Sequence, residues 1–359
     1  MLVLFAGGGS HVADGLNVNA SIERHVGDSD GYIVIEMEEE DEGTYYYTYS
    51  GEKESFEAPE AGDYEVIAVG GRGGSCNNNL GGYGAKASGT FRLSEGDRLN
   101  IVVGGKGGDC NRKIVFESLY SGAGGAGATY VELEKVTSET PELLLAAGGG
   151  GGAGKNFSGE DGQDGPSGGF DWGGKDGQGG RLCRDSKCSG NFFLIGGAGG
   201  GGYEGNGDSR CGNLRCDCTD DKSYRPVGPF NENEGCKEGN VIAEGGESFQ
   251  NGSKGGQEQF ENLCQEQDKA QHGGFGGFGG GAQGGPLYLG VCNSGAAQEN
   301  GGGGGAGGYS GGGGAEFQGM SGGGQYISIL FIVTVPVNCP LIFVSLTSLL
   351  IRRLFTGFG

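Results

Sequence analysis

Residues 142–154 read ELLLAAGGGGGAG, an apolar run that continues without a break into glycine. Leu143 to Ala147 suits a buried strand. The second half has almost no side chains to bury. Two states are open to it. It stays disordered, because Gly loses the most backbone entropy on ordering. Or the missing side chain is the point, and extended backbones pack directly on one another. The choice concerns the whole chain, since Gly makes up 88 of 359 residues, in blocks at 147–152, 196–202, 273–285 and 300–325.

Working outward, the flanking sequence favours order. Residues 1–30 read as irregular. From Gly31 the signals are β. Tyr32 to Met37 (YIVIEM) alternates, and Thr44 to Tyr49 (TYYYTY) suits a pleated surface. Residues 56–63 read as a turn-rich link into Tyr64 to Val69 (YEVIAV). GAKASGTFRL (84–93), the turn Ser94-Glu95-Gly96-Asp97 and RLNIVV (98–103) read as a hairpin. Ala128 to Glu134 and Leu143 to Ala147 form a further pair. Short strands at this spacing, with Gly turns, predict an all-β sandwich or jelly roll across 31–147.

Across 148–328 apolar side chains become sparse. There is no strict Gly-x-y period and only 8 Pro, so a collagen triple helix is excluded. The ordered option is a bundle of polyglycine-II helices, with three residues per turn and ~3.1 Å rise. Such helices have no internal hydrogen bonds, so every N–H and C=O must find a neighbouring segment. Hydrogen bonds contribute only ~0.5–1.5 kcal/mol net each. Ordering costs ~1–2 kcal/mol per residue. A bundle therefore needs clamps, which strands and cystines can supply.

The chain has 11 Cys. Ten precede residue 300: Cys76, Cys110, Cys183, Cys188, Cys211, Cys216, Cys218, Cys236, Cys264 and Cys292. An even set in a polar region predicts disulfides and an oxidising compartment. Cys76 and Cys110 follow two neighbouring strands at similar offsets and are a candidate pair. No His lies near the 183–236 cluster, and its spacing fits no zinc ribbon or finger. Sequons at Asn19, Asn156 and Asn251 are candidate glycosylation sites and agree with a secreted or cell-surface protein.

The net charge is −22. That argues against nucleic acid, which needs a basic face, and favours either solubility alone or a basic protein ligand. Leu2 to Ala6 is shorter than a signal h-region, which suggests a fragment or an incomplete start. Ile327 to Ile351 is uncharged and followed by Arg352 and Arg353. It reads either as a transmembrane helix with a cytoplasmic C-terminus or, up to Val335, as a last strand. Pro336 and Pro340 weaken the helix.

Several stretches together resemble a known family. FEAPEAGDYEV (56–66), GGRGG (70–74), GAKASGTFRLSEGDRLNIVVGGKGGDC (84–110), GGAGATYVELE (124–134) and ELLLAAGGGGGAG (142–154) occur in that order. GGFGGFGGGAQGG (273–285), GGGGGAGGYSGGGGAEF (301–317) and GGGQYIS (322–328) follow. They resemble the extracellular glycine-rich domain of the anaplastic lymphoma kinase and leukocyte tyrosine kinase receptors. The resemblance implies a tumour-necrosis-factor-like jelly roll with an inserted polyglycine-II bundle, and ligand-driven dimerisation that activates a cytoplasmic kinase. The chain departs from the family in carrying no Val-Ala-x-Lys, His-Arg-Asp or Asp-Phe-Gly and no Cys-rich growth-factor-like module. The expected function is extracellular ligand recognition, with no catalytic or cofactor-binding residue in this chain. The alternative is a structural or matrix glycine-rich surface protein.

Three local patterns are decoys. Gly149-x4-Gly154-Lys155 looks like a phosphate-binding loop, but Asn156 stands where Ser or Thr would hold Mg²⁺, and no helix can follow. Gly159 to Gly165 looks like a calcium loop but does not recur in tandem. His11, His25 and His272 are scattered, and Trp172 reads as a packing anchor.

Overall fold

In the computed structural model, the described residues are 7–13, 20–37, 43–111, 120–138, 140–169, 172–182, 196–211, 241–257, 270–289 and 298–315. Ten strands build two antiparallel sheets. They are β1 (His11–Val12), β2 (Ser21–Gly27), β3 (Tyr32–Met37), β4 (Tyr45–Thr48), β5 (Lys53–Glu57), β6 (Gly62–Val69), β7 (Gly84–Leu93), β8 (Arg98–Val102), β9 (Thr129–Glu134) and β10 (Glu142–Ala147). The first sheet runs β1-β10-β9-β8-β5 and the second β2-β7-β6-β3-β4. Two smaller sheets join β11 (Arg210–Cys211) to β12 (Val241–Ala243), and β13 (Ala270–Gln271), β14 (Leu287–Leu289) and β15 (Gln298–Glu299).

Alternation along each strand puts one face inside. Ile33, Val66 and Phe91 of the second sheet share a buried cluster with Leu99, Val131 and Leu145 of the first. The fold is thus mainly β, with two sheets closed on one apolar core.

The structure revises three readings of the sequence. Residues 1–30 contribute β1 and β2 rather than irregular chain. The pattern of β2, SIERHVG, hides it, because this edge strand adds only Ile22 to the margin of the core. The link at 56–63 overlaps β5, whose Phe56 is buried. The third revision concerns 84–103. β7 and β8 are not a hairpin: β7 pairs with β6 and β2, and β8 pairs with β5 and β9. The turn crosses from one sheet to the other. Asp97, buried there, accepts from Ser94 N–H at 2.9 Å and from Val136 N–H at 3.0 Å. Its carbonyl accepts from Ala58 N–H. Apolar alternation is the same for a hairpin and a corner, so only these distant partners distinguish them.

The glycine blocks form a cross-bonded lattice. In 122–128 the N–H groups of residues 122, 125 and 128 donate to Gly285, Ala282 and Gly279. Those of 123 and 126 donate to Ala153 and Gly150, and those of 124 and 127 to Gly108 and Gly105. Their carbonyls accept from 71 and 74, from 274 and 277, and from 304 and 307. Partners recur every third residue, and each turn of the segment faces six neighbouring segments. The run 149–153 repeats the pattern: 149 and 152 donate to Gly307 and Gly304, and 150 and 153 donate to Gly71 and Gly74. This is the three-residue period of an extended helix with no internal bonds.

Close approach explains the composition. A Cβ at Gly125 would collide with the Gly305 carbonyl, and one at Gly150 with that of Gly82. Alanine occurs where methyls can meet, as at Ala198, Ala243 and Ala282. The segments come from both sides of residue 148, so the lattice and the sandwich interleave along the chain.

The lattice is anchored on the outer face of the first sheet. Tyr130 there is fully buried, and its Oη donates to Gly308 O at 2.6 Å. Tyr130 packs on Phe249 at 5.1 Å, and Phe249 stacks on Tyr203. Lys53 Nζ lies 4.2 Å from the Phe249 ring centroid and donates to Phe249 O. A second clamp is covalent: Cys76 and Cys110 form a disulfide between two glycine segments.

Candidate protein-binding surface

The outer face of the second sheet carries polar and aromatic side chains and few large apolar ones. On β3, Ile33 and Ile35 point inward, so Tyr32, Val34 and Glu36 point outward. The register sets them in rows. Tyr46 stands opposite Val34, which stands opposite Ile67. Glu36 stands directly opposite Glu65. Directly opposed like charges destabilise a sheet.

The cations on this face are already committed. Lys86 pairs with Glu23 at 3.0 Å, and Arg92 with Asp63 at 3.3 Å. Among the described residues no ion pair is made to Glu36 or Glu65. Two exposed tyrosines share the face: Tyr46, diagonal to Glu36, is 70% exposed, and Tyr32, further along β3, is 40% exposed. Tyrosine offers a large, stiff contact surface and is enriched in protein interfaces. At the adjoining edge, burial and then the charge of Glu54 raise the pKa of Tyr47. Acidic charge beside exposed aromatic rings suits guanidinium and ammonium groups.

The residues singled out from sequence fall into three groups. Cys76 and Cys110 are joined, with Cys76 buried beside Tyr120, Ala123 and Ala153. Cys183, Cys188, Cys216, Cys218, Cys236, Cys264 and Cys292 lie outside the described residues, and of Cys211 only the backbone in β11 is described. Among the sequons, Asn19 lies outside the described residues. Asn156 is exposed at the turn bridged by Gly154 and Phe157, and exposed Asn251 donates from Nδ2 to Asn206 Oδ1. The candidate span 327–351 also lies outside. Among the described residues no helix is long and apolar enough to cross a membrane.

The decoys dissolve for a physical reason. In the apparent phosphate loop, the N–H groups of 149 to 154 already donate to Gly307, Gly71, Glu160, Gly304, Gly74 and Phe157. None remains to cradle an anion. Gln163 N–H in the apparent calcium loop donates to Gly8 O, and Asp161 Oδ1 accepts from Tyr83 N–H. Among the described residues no three His, Cys, Asp or Glu converge as metal ligands. His11 stacks on Tyr309 and His272 on Phe275.

Sequence reasoning missed the Glu36–Glu65 pair. Each lies on the polar side of an alternating strand, which is a weak sign. Their opposition depends on a register between strands almost thirty residues apart. The chain matches no protein-family model and no curated protein.

Proposed function

We propose that this protein is an extracellular ligand-recognition module whose partner is a basic protein. The observation that carries the reading is the Glu36–Glu65 pair, which makes no ion pair among the described residues and has exposed Tyr46 as a diagonal neighbour. The Cys76–Cys110 disulfide supports an oxidising, extracellular setting, as do the sequons at Asn156 and Asn251. On this reading the sandwich would correspond to the jelly roll of the resembled receptor domain, and the lattice to its polyglycine-II bundle; the two-sheet core and the three-residue bonding period support it. The lattice acts as a rigid mount: it covers the outer face of the first sheet at Tyr130, while Tyr32 and Tyr46 on the second sheet remain exposed. Signalling by ligand-driven dimerisation follows if a kinase is attached, and a C-terminal anchor at 327–351 would hold the module at the cell surface.

The test is a screen of the purified full chain against secreted proteins. A basic partner is expected to bind saturably, more weakly at high salt, and more weakly again to the variant Glu36→Lys/Glu65→Lys. Absence of any saturable partner, or binding indifferent to that charge reversal, would leave the structural surface protein as the better reading.

A further inference from the structure

The sandwich leaves two strand edges open on one side. β4 ends one sheet and β5 ends the other. Only residues 49–52 separate them along the chain. Among the described residues, β4 pairs only with β3, and β5 only with β8. Among the described residues each edge therefore presents unpaired N–H and C=O groups, a template for another extended chain.

Proteins commonly blunt such an edge with Pro, Lys or a bulge. β4 reads YYYT and pairs regularly with β3 over all four residues, so none of these devices is present. Acidic residues flank it instead: Glu38 to Glu42 precede it in sequence, and Glu52 and Glu54 follow. Glu54 acts on Tyr47 at the mouth between the two edges.

The charges decide the occupant. Antiparallel pairing of two β4 edges would bring together two chains of net charge −22, each with Glu52 and Glu54 following the strand in sequence. Like charge of that size keeps chains apart, and a second copy is repelled. A cationic strand meets the opposite situation.

We propose that the β4 edge takes up an extended basic segment of a partner protein, which adds to the β2-β7-β6-β3-β4 sheet as a further strand with Lys or Arg at alternate positions. The proposal rests on the recognition reading above and specifies its binding mode. Main-chain hydrogen bonds give affinity. Alternate guest side chains lie on the outer face beside Tyr46, with Glu36 one strand further in. The intervening ones meet Tyr45, Tyr47 and Glu54 at the mouth.

The full chain is titrated with three short synthetic peptides: alternating Lys-Thr, alternating Glu-Thr, and Lys-Thr N-methylated at every second residue, made in both frames. The Lys-Thr peptide is expected to bind saturably and to slow amide exchange in β4. The Glu-Thr peptide is expected not to bind. At least one methylated frame is expected to bind about tenfold more weakly or worse, a loss of about 1.4 kcal/mol. Binding by both methylated frames as tight as that of the unmethylated peptide would overturn strand addition while leaving charge-based recognition standing. No binding by Lys-Thr would overturn it as well. The recognition reading itself falls only by the charge-reversal screen. The probes differ only in the peptide, so misfolding of a variant cannot imitate either result.

Discussion

The hydroxyl of Tyr130, on the outer face of β9, donates a 2.6 Å hydrogen bond to the carbonyl of Gly308 in the glycine lattice. The two residues are 178 positions apart, and both are buried. Burial raises the phenol's pKa well above its ordinary value, so it remains a donor at any physiological pH. Tyr130→Phe keeps the ring packed on Phe249 and removes only the donor. We expect a loss of about 1–3 kcal/mol, the cost of leaving a buried acceptor unsatisfied, read as a lower urea midpoint with an unchanged m-value.

Two glycines separate close approach from mere abundance. A Cβ at Gly150 collides with the Gly82 carbonyl, whereas one at Gly165 has nothing within 4 Å. Gly150→Ala should destabilise by about 1–3 kcal/mol or more and speed amide exchange across 148–153. Gly165→Ala should be neutral or slightly stabilising, because it only reduces the freedom of the unfolded chain. Equal effects at both positions would mean that the lattice does not order this segment.

The Cys76–Cys110 bridge closes a loop with a sequence separation of 34. Chain entropy assigns such a loop about 3–4 kcal/mol. Cys76→Ala/Cys110→Ala should lower stability by about that amount. Peptide mapping of the native protein without reductant should recover the 76–110 cross-link. Free thiols at both positions would contradict the fold described here.

Glu160 carries a stability dependence on pH. Burial raises its pKa, while the charge of Arg24 and hydrogen bonds from Gly7 and Gln163 partly oppose the shift. A raised folded-state pKa means that the folded protein holds the proton more tightly than the unfolded chain. The contribution is favourable below the ordinary Glu range and is lost as pH rises through the folded value. Glu160→Gln should therefore raise the melting temperature at neutral pH. The gain should shrink toward zero as the medium is acidified. A gain that grows on acidification would reverse the sign and refute the assignment.

Several elements were legible because they depend on local pattern. Tyr32–Met37 and Gly84–Leu93 are read with the observed bounds, because alternation of apolar and polar residues reports a half-buried strand wherever it occurs. β2 and β5 were not legible. Both are edge strands that bury little, so their sequences carry almost no period. The Cys76–Cys110 pairing was legible from the similar offsets of the two residues after their strands, although those strands, β6 and β8, lie in different sheets.

The sequence by itself narrowed runs such as 148–152 to two states, disorder or backbone packed on backbone, since they offer no side-chain contact; the tertiary hydrogen bonds decided for packing. The sequence also determined an alternating β half and a strongly acidic surface. Tertiary structure alone decided which carbonyl each glycine N–H finds, that Asp97 turns the chain between sheets, and that Glu36 faces Glu65. The reason is physical: a glycine donor looks the same wherever it sits, and a strand's alternation fixes its inward face but not its neighbour. Register and partner are set only when distant segments close around a common core.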